Sequence, residues 1–162
     1  MRDRGENYII HNHMTKKTFL LATAFLAFSS SPTLAVDKLE NALSPADTIA
    51  VDNLVAPIFS NLKAGNYAAT VNEFLGLSSM FDGKKQEMQY LISQIESTST
   101  IYGRVSNCSL ATVKTRAGIA QSRMYLCQHE NFVTRWIVVV AKTSKGWAPV
   151  SLRFDDQMML DD

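Results

Sequence analysis

Apolar residues recur at Ile49, Val51, Leu54, Val55, Ile58, Phe59 and Leu62, close to the 3.6-residue period of a helix with one buried face. Ser44-Pro45-Ala46-Asp47 supplies its start: serine as N-cap, proline at the first helical position and an acid in the first turn. Pro57 lies inside the run and predicts a kink or an end to its first part. Gly65 can take the left-handed conformation that closes a helix, and Asn66 can cap a second helix from Tyr67 to about Leu75, ended by Gly76. A third helix is predicted from Lys84 to about Glu96, with Met88, Leu91, Ile92 and Ile95 on one face and the Ser/Thr run 97–100 as its break.

After Tyr102-Gly103 the period falls to two. Residues 105–115, 119–129, 132–142 and 147–154 read as strands of an antiparallel meander. The breaks are Ala117-Gly118, Glu130-Asn131 and the stretch 143–146, where Gly146 suits the left-handed position of a type I turn with a bulge. Helices followed by hairpin-linked strands predict an α+β domain: three N-terminal helices packed on a curved four-stranded antiparallel meander sheet, over residues 44–156. There is no internal repeat or second domain.

Strand parity sorts the sheet into two faces. Leu110, Tyr125, Cys127, Trp136, Val138 and Val140 share one; Met124, Leu126, Ile137 and Val139 share the other. Both are apolar in the middle strands. One packs on the helices, and the other is expected to be covered by a second copy of the chain, as a homodimer through the sheet.

The two cysteines fit this hairpin. Cys108 lies nine residues before Ala117, and Cys127 nine after Gly118. A turn centred between Ala117 and Gly118 therefore places them opposite one another. A four-residue loop, 116–119, would make them a non-hydrogen-bonded pair, whose side chains approach closely enough for a bridge. A Cys108–Cys127 disulfide is expected.

Such a bridge needs an oxidising compartment, and the N-terminal pattern offers one. Met14-Thr-Lys-Lys17, an apolar run from Phe19 to Phe28 and the small-residue exit to Ala35 have the three parts of a secretory signal peptide. The apolar run is too short to span a bilayer. Residues 14–35 are read as the signal, cleaved after Ala35, and residues 1–13 as a mis-assigned extension before the true start at Met14. Residues 36–43 form a loose leader and 157–162 an acidic tail. The expected location is periplasmic or secreted, with no stable membrane anchor.

Charge sharpens this picture. The whole chain carries net +1. Between Arg104 and Arg153 stand eight bases (Arg104, Lys114, Arg116, Arg123, Arg135, Lys142, Lys145, Arg153) and one acid, Glu130. The helical part is acidic. Either the two halves complement each other, or the sheet meets an acidic envelope partner. No basic run points to nucleic acid.

A long helix, a short helix introduced by Lys63-Ala-Gly-Asn-Tyr67, a third helix and a meander ending in Lys145-Gly-Trp147 before a final strand resemble the nuclear-transport-factor-2-like (cystatin-like cone) superfamily, over about residues 45–156. Within it, the small exported bacterial members of unknown function are the nearest in layout. The resemblance implies a sheet curved around the helices, often a cavity between them, and often a sheet-mediated dimer. The superfamily includes ketosteroid isomerases, dehydratases and polyketide cyclases alongside non-enzymatic binding domains, so fold does not select function.

Candidate chemistry is sparse. His129 is expected to lie exposed beside a turn, with no serine or acid placed to make a triad. No metal-ligand spacing, phosphate loop or cofactor motif is present. Asp82, in Met80-Phe-Asp-Gly83, is the one candidate cavity acid, with Tyr67, Tyr90 and Tyr102 as its tyrosine partners. Tyr67, Phe74, Phe81, Tyr90, Tyr102 and Trp136 could line an apolar pocket, although their spacing equally suits core positions. The leading expectation is an exported non-enzymatic binding or accessory domain for a small apolar ligand or a protein partner. The alternatives are an isomerase- or dehydratase-type enzyme with a cavity acid, and an envelope inhibitor or accessory protein using a basic sheet.

Overall fold

The computed structural model describes residues 42–157. The expected extension, signal peptide with its cleavage site at Ala35, most of the leader and the tail beyond Gln157 lie outside these residues. Three helices precede four strands: α1 Pro45–Ala64, α2 Tyr67–Leu75, a single 3-10 turn Ser79–Phe81, α3 Lys85–Tyr102, then β1 Val105–Arg116, β2 Ala120–His129, β3 Val133–Thr143 and β4 Gly146–Asp155. The strands form one antiparallel sheet in the order β1-β2-β3-β4. The α+β meander is therefore as the periodicity implied.

Local chemistry explains the helix ends. The Ser44 hydroxyl accepts from the Asp47 N–H, and Pro45 occupies the first turn, where its missing N–H costs nothing. The helix runs through Pro57 and stops at Gly65, whose φ of 78° suits the left-handed cap. The expected break at residues 97–100 does not occur, and α3 continues to Tyr102. Thr100 Oγ1 donates back to the Glu96 carbonyl and Ser99 bonds Tyr67 Oη across to α2, so these hydroxyls are satisfied without unwinding the helix.

The first hairpin corrects one detail. Its loop is three residues, Ala117 to Ile119, with Arg116 paired to Ala120. That turn alone would leave the cysteines one residue out of step. A bulge between Leu110 and Thr112 absorbs the extra residue and restores the pairing of Cys108 with Cys127. The disulfide is formed, across a Cα–Cα distance of 4.0 Å.

The core lies between α1, α2 and the inner face of the sheet. Val51, Val55, Ile58, Phe59 and Leu62 of α1 meet Trp136, Val138 and Val140 of β3 and Leu152 of β4. Ile49, expected on the buried face of α1, is instead exposed, because two residues before Val51 it falls on the opposite side of the helix. Trp136 stacks on Phe154 at a centroid distance of 4.9 Å, and Phe59 meets Tyr125 at 4.1 Å. These rings fill the space between α1 and the middle of the sheet.

Candidate functional site

The residues expected to line one pocket are dispersed. Trp136 is in the core, while Tyr90 is 67% exposed on α3. Tyr67 bonds Ser99, tying α2 to α3. Tyr102 stacks on Phe132 and donates to Asp156 Oδ2 at 2.7 Å on the surface. Phe81 and Asp82 border a shallow depression with Asn72, Lys85, Met88 and Gln89. Only Phe74 reaches the groove described below. The tyrosine–carboxylate pair that does form, Tyr102 with Asp156, sits at an exposed edge, and the Asp156 hydrogen bond holds the Tyr102 hydroxyl above its ordinary range. Asp82 has no tyrosine beside it in that depression.

His129 overturns its expectation: it is only 6% exposed. Position 129 shares the inward parity of Cys127, and the β2–β3 turn starts just beyond it. His129 Nδ1 lies 2.9 Å from the Gly103 carbonyl, and Nε2 lies 3.0 Å from Thr134 Oγ1. Trp136 Nε1 donates to the same threonine oxygen at 3.0 Å. This is a closed structural network with no serine nucleophile or acid on the ring.

Two further polar clusters escaped the sequence reading. Arg123, 5% exposed, donates from Nη1 to Asp52 Oδ1 and from Nε to Gln121 Oε1, each at 2.5 Å, and Gln121 Nε2 donates to Thr115 Oγ1 at 3.1 Å. Its signal was parity: Arg123 falls on the inward side of β2. Asp47 gathers Lys142 Nζ at 2.9 Å, Trp147 Nε1 at 2.8 Å and Ser44 Oγ at 2.8 Å. Those bonds, the lysine's foremost, lower its carboxyl to about 2. They pin the start of α1 to the β3–β4 hairpin.

Two surfaces remain unspent. The first is a groove of about 470 Å³ between α1 and α2, closed at one side by Trp147. Leu54, Pro57, Ala69, Phe74 and Leu77 make it mostly apolar, and Asn53, Asn61 and Glu73 stand in its wall. The second is the outer sheet face. Register aligns Thr112, Met124, Ile137 and Arg153 in one row, and Lys114, Ser122, Val139 and Ser151 in the next. Leu126 stands beside Arg135, which is paired with Asp155 at 3.0 Å. Met124, Leu126, Ile137 and Val139 are half-buried and form a central strip. Lys114 and Arg116 border it on β1 and Arg153 on β4, all exposed and without an ion pair among the described residues.

Comparison with protein-family models, curated proteins and solved structures finds no match for this chain.

Among the described residues no group of three His, Cys, Asp or Glu side chains is placed to hold a metal ion. The groove offers apolar area with a few fixed polar atoms. The outer face offers apolar area with a cationic border. No described helix is long and apolar enough to cross a membrane.

Proposed function

We propose that this chain is an exported, non-enzymatic binding domain that engages an acidic partner in the cell envelope through the outer face of its sheet. The observation that carries the reading is the half-buried strip Met124, Leu126, Ile137 and Val139 with uncompensated Lys114, Arg116 and Arg153 along its sides. The strip supplies burial, and the cations supply long-range attraction and selection against basic partners. β1 and β4 lie three strand spacings apart, about 14 Å. That width suits an amphipathic segment with acids on both flanks of an apolar ridge. The disulfide supports an oxidising compartment. The order of three helices and a four-stranded meander supports kinship with the nuclear-transport-factor-2-like superfamily.

A homodimer through the same face is the second reading, favoured by the apolar strip alone. It is ranked lower on charge. Among the described residues, two copies face to face would bring six unpaired cations together, while the one acid on that face, Asp155, is held by Arg135.

A photo-crosslinking residue at Ser122, introduced in cells that export the protein, separates these readings. The expected adduct joins Ser122 to an acidic segment of another polypeptide and disappears in the triple variant Lys114→Glu, Arg116→Glu, Arg153→Glu. An adduct to a second copy, matched by a dimer in sedimentation equilibrium, favours the second reading. An adduct indifferent to the triple variant defeats the charge argument.

A further inference from the structure

The α1–α2 groove has its own chemistry, independent of the sheet. Its lining has spent most of its donors and kept its acceptors. Trp147 Nε1 is given to Asp47, Asn61 Nδ2 donates to Glu73 Oε2 at 2.8 Å, and Thr70 Oγ1 donates to the Asn66 carbonyl at 3.0 Å. Pro57 has no N–H, so the Asn53 carbonyl four residues earlier lacks its usual helical donor. Both residues line the groove. What remains is the second Glu73 oxygen, the Asn61 side-chain oxygen and the Asn53 carbonyl. The donors left are the exposed Asn53 amide and the second N–H of Asn61. Glu73 is the one charged residue of the lining, and it is negative.

A ligand matching this wall presents several N–H donors and a positive charge on an apolar body. Leu54, Pro57, Ala69, Phe74 and Leu77 provide the apolar bed. Trp147 adds an aromatic wall, which receives alkyl groups and cations alike. The volume, about 470 Å³, lies in the range that holds a small organic molecule. We propose that this groove binds a small cationic amphiphile, an alkyl chain ending in a primary ammonium. The ammonium sits between Glu73 and Asn61, donating to both, and the chain lies along α1 against Leu54 and Pro57. A carboxylate head brings no donor and is repelled by Glu73, and a hydroxyl head donates one hydrogen bond where the ammonium donates up to three and carries the complementary charge.

The test is an amide-shift NMR titration of the oxidised protein with n-decylammonium, n-decanol and decanoate, each below its aggregation concentration at pH 7. Decylammonium is expected to shift residues of α1, α2 and Trp147 and to bind at least tenfold more tightly than either analogue. Glu73→Gln, at an exposed helix position, is expected to keep the fold, shown by its unchanged spectrum elsewhere, and to weaken decylammonium about tenfold, or about 1.4 kcal/mol, without affecting decanol. Decanol or decanoate binding as well as the amine, an unaltered Glu73→Gln affinity, or shifts confined to other elements would overturn the proposal. So would equal displacement by Nα-acetyl-lysine methylamide, which would make a protein side chain the better ligand.

Discussion

His129 and Thr134 are joined through Nε2 and Oγ1 at 3.0 Å, and the direction of that bond follows from their neighbours. The Gly103 carbonyl can only accept, so Nδ1 carries a proton. In the neutral ring Nε2 is then the acceptor, and Thr134 donates to it. Thr134 in turn accepts from Trp136 Nε1. A single buried hydroxyl therefore satisfies an indole and an imidazole, and it ties β2 to β3 beneath the C-terminus of α3.

Thr134→Val keeps the shape and removes that hydroxyl, leaving Trp136 Nε1 and His129 Nε2 both buried without a partner. Each orphaned group costs about 1–3 kcal/mol. Urea unfolding is expected to show a loss of about 2–6 kcal/mol, with Thr134→Ser recovering most of it. A Val variant as stable as the parent would mean the network is not formed in solution.

Gly103 holds the other end of this network in a conformation reserved for glycine, φ 84° and ψ −178°. A Cβ added there would approach Glu130 Cβ to 2.7 Å. Gly103→Ala is expected to cost on the order of 1–3 kcal/mol from the backbone alone. The companion variant Gly103→Ala with Glu130→Gly relieves the contact but not the strain, so thermal unfolding should show only partial recovery.

The Cys108–Cys127 bridge spans a sequence separation of 19. In the chain-entropy model a loop of this size contributes about 3 kcal/mol. Replacing both cysteines by alanine is expected to lower the denaturation midpoint by a corresponding amount. Non-reducing mass spectrometry of native protein should find no alkylatable thiol. Two reactive thiols would refute the bridge, because Cys108 and Cys127 are the only cysteines in the chain.

Asp47 makes the start of α1 sensitive to acid. Its folded value, about 2, lies below the ordinary 3.8, chiefly through the Lys142 hydrogen bond. A depressed carboxylate stabilises the fold above its unfolded value, and that contribution is lost as pH falls through the folded one. The parent should lose stability between about pH 4 and pH 2, and Asp47→Asn should flatten this part of the profile. Equilibrium unfolding at stepped pH measures it; an unchanged slope in the variant would exclude Asp47 as the source.

The alternating pattern of β2 and β3 was enough to divide the sheet, since residues paired across adjacent strands lie on the same face. It grouped Cys127, Trp136, Val138 and Val140 on one face, which is the buried one, and Met124, Leu126, Ile137 and Val139 on the other, which is half-buried; Leu110, grouped with the first set, is instead 49% exposed on β1. Arg123 and His129 share the inward positions of β2 but were not expected inside, because a hydrophobicity pattern cannot show what would compensate a buried polar group. Arg123 is tolerated because Asp52 arrives from α1, 71 residues away. His129 ends the strand where expected, but it is buried rather than exposed because Gly103, from the end of α3, closes over it.

The aromatic residues taken as pocket candidates show the same boundary. Tyr67, Tyr90 and Tyr102 occupy helix positions whose direction depends on how α2 and α3 lie on their neighbours, and they point to three different places. The groove between α1 and α2 gave no signal, because Leu54, Pro57 and Ala69 look like ordinary helix residues, and Leu77 like part of a connecting turn, until two helices are set side by side.

The sequence by itself determined the order of elements, the parity of the sheet and the partner of each cysteine, because these depend on period and on pairing between adjacent strands. The three-residue turn and the bulge that restores the cysteine pairing were not foreseen; the pairing came out right because the two offsets cancel. Only the tertiary structure decided the ion pair of Arg123, the triple contact of Asp47 with Lys142, Trp147 and Ser44, and the acceptor-lined groove. Most of those contacts join residues far apart in the chain, and they exist only once α1 has a definite position over the sheet. Side-chain packing fixes that position, and no periodicity along the chain encodes it.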